Sequence, residues 1–80
     1  MRPDTLRSLE LYIDNQVHPG GFLIAVLNND LKESFARADD ANREDLFAIV
    51  SWIYCHAPTD CWGSPEKVRA WLNPETALKG

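Results

Sequence analysis

Prolines and glycines cut this chain into helical lengths, and that punctuation constrains its fold more than any other feature. Between "HPGG" at 18–21, Pro58 and Asn73–Pro74, apolar residues recur at steps of three and four. No stretch alternates apolar and polar residues as a half-buried strand would, and no hairpin dipeptide joins two such stretches. The expectation is an all-α fold, a compact single-domain bundle of four or five short helices spanning 1–80. Its ordered core should cover about 4–73, followed by a frayed tail from 74 to 80.

Leu6, Leu9, Ile13 and Val17 mark one face of a first helix, with Tyr12 beside them and Asp4 as its expected N-cap. Pro19 disfavours helix at His18, and Gly20–Gly21 permit the turn. In "FLIAVLNNDLKESFARAD", Leu23, Leu27, Leu31, Phe35 and Ala38 stay in helical phase across Asn28–Asn29. Asparagine is a poor interior helix residue, and Asp30-x-x-Glu33 has the form of a capping box, so a break or bend is expected there. The acidic run "DDANRED" reads as the first turn of the next helix, favoured by the helix dipole. It lacks the glycine and alternate oxygen ligands of a calcium loop. Leu46, Ile49, Val50, Ile53 and Ala57 then form a stripe that Phe47 and Tyr54 widen, giving the most apolar and central helix. In "CWGSPEKVRAWL", Gly63 turns the chain, Ser64 caps, Pro65 suits the first helical position, and Val68, Trp71 and Leu72 share a face.

Composition narrows function mainly by exclusion. Eight basic residues are scattered along a chain of net charge −4, without the basic stripe of a nucleic-acid binder. "SPEKVRAWL" offers only Lys67 and Arg69 to a recognition helix, which counts against helix-turn-helix regulation. No apolar run approaches a bilayer span, and the N-terminal residues have no apolar signal core, which favours the cytoplasm. Cys55 and Cys61 are too few for a disulfide framework. A single bridge between them is conceivable, but reduced thiols are expected, with Cys55 in the core or at its edge. With His56 they fall one ligand short of a zinc site, so no metal and no cofactor is expected. Cys55 and His56, adjacent on a helix, point about 100° apart and make a poor nucleophile–base pair; Cys61 with His56 stays open. No catalytic motif is present, and no catalytic residue is assigned.

Taken together, "HPGGFLIAVLNNDLKESFARAD", "LFAIVSWIYCHAP" and "CWGSPEKVRAWL" resemble small uncharacterised proteins of tailed-bacteriophage and prophage genomes, where these elements occur in the same order. The resemblance covers about residues 9–72. It implies a phage or prophage origin and action inside a bacterial host cell, and carries no site residues with it.

Three tryptophans in so small a chain invite two readings. Trp62 and Trp71 can cap the open end of the core. Alternatively, Trp52, His56 and Trp62 form an exposed aromatic patch for a partner. The favoured function is a non-catalytic interaction protein whose partner is a host or phage protein or a second copy of itself. The alternative is sequestration of an anionic or nucleotide ligand, with Gly63 and Ser64 at a helix start supplying backbone donors and Trp62 stacking on a base.

Overall fold

Local capping chemistry places the helices in a computed structural model, which describes residues 1–74. They are α1 (Pro3–Asn15), α2 (Gly21–Leu27), α3 (Leu31–Arg37), α4 (Asp40–His56) and α5 (Pro65–Leu72), with a 3-10 turn at Thr59–Cys61 before α5. The fold is an all-α bundle, with no strand among the described residues. The tail expected to fray lies, apart from Pro74, outside those residues.

α1 starts earlier than expected. Its N-cap is Arg2, not Asp4, because Pro3 fits the first helical position, where no N–H is needed, and leaves Asp4 in the first turn. The Arg2 backbone N–H donates to the Asp45 carboxylate at 3.1 Å and ties this start to α4. α1 closes at Asn15 through a left-handed Gln16 (φ 55°), so Val17 falls beyond the helix and is exposed instead of extending its face.

The asparagines do break the next helix. Asn29 adopts φ 63°, a left-handed conformation that asparagine tolerates better than most residues. Asp30 then caps α3, its side chain accepting from the Glu33 N–H at 3.1 Å. The shared apolar phase survives this break only in part. Leu23, Leu27 and Ala38 are buried, whereas Leu31 is 73% and Phe35 55% exposed. A left-handed residue between two short helices re-aims the second, and α3 carries those two side chains outward.

Asp39 caps α4 by accepting from the Asn42 N–H at 2.7 Å. Pro58 follows its end, where Ala57 is already extended. Ser64 caps α5 by accepting from the Lys67 N–H at 3.2 Å, with Pro65 at the start of the helix.

One core gathers Leu9 and Tyr12 of α1, Leu23, Val26 and Leu27 of α2, Ile49 and Ile53 of α4, Cys61, and Val68 of α5. Polar bonds inside it lock the C-terminal segment to the rest. The Tyr12 hydroxyl donates to the Cys61 carbonyl at 2.6 Å, and Trp71 Nε1 donates to the Tyr12 carbonyl at 2.9 Å. The Gly63 N–H donates to the Leu27 carbonyl at 2.7 Å. A buried carbonyl deprived of such a donor would cost about 1–3 kcal/mol.

Candidate functional site

Cys55, expected in the core or at its edge, is exposed on α4, and Cys61, to which the sequence gives no place, is fully buried; both are free thiols. Cys61 lies in a turn without periodicity, so only the docking of that turn onto Tyr12 reveals its burial. Its thiol donates to the Pro58 carbonyl at 3.1 Å. Burial pushes its pKa up, the Asp60 charge adds to the push, and a backbone hydrogen bond partly offsets it. A catalytic thiol needs the opposite shift. Burial likewise pushes the Tyr12 phenol well above its ordinary range, with Cys61 contributing. Among the described residues, no three His, Cys, Asp or Glu side chains gather as metal ligands. No described helix is long and apolar enough to cross a membrane.

Gly63 and Ser64, the expected anion-accepting start of α5, are already committed. The Gly63 N–H is held by the Leu27 carbonyl and the Ser64 oxygen by the Lys67 N–H. Lys67 Nζ donates to the Thr59 carbonyl at 3.2 Å. The nearest cation and the leading backbone donor therefore both serve the fold.

The expected trio of Trp52, His56 and Trp62 separates into two pairs. Trp52 and His56, one turn apart on α4, stack with ring centroids 5.0 Å apart and planes at 37°. Trp52 is half-buried against the core, while His56 is exposed. Trp62, also half-buried, meets Tyr54 edge-on at 6.4 Å and 82°. Trp52 and Tyr54 lie about 200° apart around a helix, so the two pairs occupy different sides of α4.

A more extensive apolar surface lies on the Tyr54 side. Phe47 is 85%, Tyr54 78% and Val50 39% exposed, although all three looked like members of the core stripe. Spaced by three and four residues, they form a ridge along α4. Leu31 and Phe35 of α3 extend it, and the Arg43 guanidinium sits 4.9 Å above the Phe35 ring, joining the two helices at the surface. Between α2, α3 and α4 opens a cleft of about 180 Å³ lined by Val26, Leu31, Leu46, Val50 and Trp62, with Ser34 and Asp30 at its polar edge.

Exposed single apolar residues are ordinary, but a contiguous group with three aromatic rings is not. Its trace in the sequence is the α4 run "LFAIVSWIY", apolar around the whole helix where a surface helix would be apolar on one side. Periodicity alone shows which residues share a side of α4 and leaves open which sides the fold covers. No family model matches the chain, and no curated protein or solved structure matches it.

Proposed function

We propose that this chain is a non-catalytic protein-interaction module that docks through the α3–α4 apolar face, acting in the cytoplasm of a bacterial host as the phage and prophage resemblance implies. The observation that carries the reading is the exposure of Leu31, Phe35, Phe47, Val50 and Tyr54 on two adjacent helices beside an apolar cleft. Such surfaces on small soluble proteins mark contact sites, and aromatic side chains dominate their binding energy. The internal bonds made by Gly63, Ser64 and Lys67 weigh against the ligand-sequestering alternative.

Pull-downs from bacterial lysate with the wild type, Phe47→Asp and Trp52→Ala test this reading. A partner held by the wild type and by Trp52→Ala, but lost by folded Phe47→Asp, supports the α3–α4 face. A partner lost by Trp52→Ala and kept by Phe47→Asp moves the site to the Trp52–His56 side. A thermal shift of several degrees with a nucleotide would favour sequestration instead.

A further inference from the structure

We propose that the occupant of the α3–α4 face is a second copy of this chain, the two related by a twofold axis with Phe47 of each seated in the cleft of the other. This inference rests on reading that face as an interaction surface.

Both halves of the complementarity are present on one molecule. Among the described residues Phe47 is the most exposed of the large apolar side chains, a ring standing out on the α4 ridge. The cleft beside it, about 180 Å³, is lined mainly by aliphatic side chains and Trp62. An apolar cavity of about 150 Å³ accommodates benzene, so a phenyl ring fits the space. Leu46 and Val50, which line the cleft, flank Phe47 within one turn of α4. A twofold axis passing between knob and cleft therefore exchanges them, as an isologous contact requires.

Area agrees. An aromatic side chain presents roughly 200 Å², so the exposed fractions of Phe35, Phe47 and Tyr54, with Leu31 and Val50, leave about 600 Å² of apolar surface open. A stable interface takes about 800 Å² from each partner, of which about 65% is apolar in homodimers, or roughly 520 Å². The face can supply the whole apolar part of such an interface.

The electrostatics permit self-contact despite the acidic chain. Arg43 lies over Phe35 at one end of the ridge, and its guanidinium is 3.5 Å from Asp40. Glu44 stands one turn before Phe47. The rim thus carries charges of both signs. Antiparallel α4 helices would also set their dipoles in opposition, which is favourable.

Sedimentation equilibrium from about 1 μM to about 0.5 mM, a range bracketing ordinary homodimer affinities, reads the outcome. The wild type should shift from the 9.1 kDa chain mass to twice that value as concentration rises. Phe47→Asp should weaken the association at least about 30-fold with helicity unchanged, as expected of a hot-spot aromatic. Tyr54→Ser, milder and also at an exposed site, serves if Phe47→Asp does not fold. Leu31→Lys should be monomeric alone and form a mixed dimer with Phe47→Asp, since one half of that contact stays native and the other pairs opposite charges. A wild type that stays monomeric throughout, or a dimer indifferent to both Phe47→Asp and Tyr54→Ser, overturns the proposal. A monomer that still captures a different protein through Phe47 sinks self-association and leaves the interaction module standing.

Discussion

Two sides of one helix divide the molecule's needs between them. On one side of α4, Ile49 and Ile53 are completely buried among residues of α1, α2, α5 and the 3-10 turn. On the other, Phe47 and Tyr54 carry as much apolar surface and stand mostly in solvent. Propensity and hydrophobicity do not separate them, since all four are large, apolar and spaced helically. What separates them is whether another element packs opposite. The same residue chemistry therefore holds the fold together on one side and is left available on the other.

The sharpest way to break that contrast is to truncate each side in turn. Ile53→Ala should cost about 2–5 kcal/mol in chemical denaturation, from lost transfer energy plus the cavity left behind. In a chain of 80 residues this is a large share of the total stability of about 5–15 kcal/mol. A loss under 1 kcal/mol would mean that the core can collapse around position 53, and the buried side would lose its special status.

Next in size is the polar lock on the buried side. Tyr12→Phe keeps the packing of the ring but strips the donor from the Cys61 carbonyl, so about 1–3 kcal/mol should be lost. The same pair makes stability fall in alkali. In the folded chain Tyr12 and Cys61 hold their protons at pH values where the unfolded chain has begun to release them. Stability is thus full below the ordinary values, 9.0 for the thiol and 10.0 for the phenol, and falls as pH rises past them. Tyr12→Phe should flatten the part of the fall above pH 10.0 and leave the thiol's part. An unchanged profile in denaturation curves taken from about pH 8 to 11 would remove Tyr12 from this account.

Caps should rank third, and they touch neither side of the contrast. Asp39→Ala removes the acceptor for the Asn42 N–H at the start of α4, and should cost about 1 kcal/mol. Asp39→Asn should restore most of it, because asparagine caps nearly as well. If both substitutions proved neutral in denaturation, tertiary packing alone would be fixing where α4 begins.

Two caps were readable in the sequence because capping is local chemistry: Asp30 before α3, and Ser64 with Pro65 at α5, needed only neighbours within four residues, whereas Asp39 was read as part of the first turn it caps. Asp4 misled for an equally local reason, since Pro3 occupies the first helical position and pushes the cap back to Arg2. The break at Asn28–Asn29 was legible too, but its consequence was not. Phase across a break survives only if the second helix continues the axis of the first, and the left-handed Asn29 prevents that. Leu31 and Phe35 therefore moved from expected core to open surface. Phe47, Val50 and Tyr54 were misplaced differently, because spacing records which residues share a side of a helix and carries no record of what covers it. The same holds for the expected cluster of Trp52, His56 and Trp62, which α4 and the following turn divide.

The smallest expected effect sharpens the comparison most. Phe47→Ser, measured at concentrations low enough to keep the chain monomeric, should change stability by no more than about 0.5 kcal/mol, as surface substitutions do, and Tyr54→Ser by less than about 1 kcal/mol. Tyr54 carries slightly more risk than Phe47, because its ring meets Trp62 edge-on, a contact worth about 0.5–1.5 kcal/mol where it is fully formed. Two large aromatic residues whose loss leaves the fold untouched would have to owe their presence to something outside the monomer. A loss near that of Ile53→Ala would reverse the conclusion, making the ridge part of the monomer's own stability and leaving α4 with a single purpose.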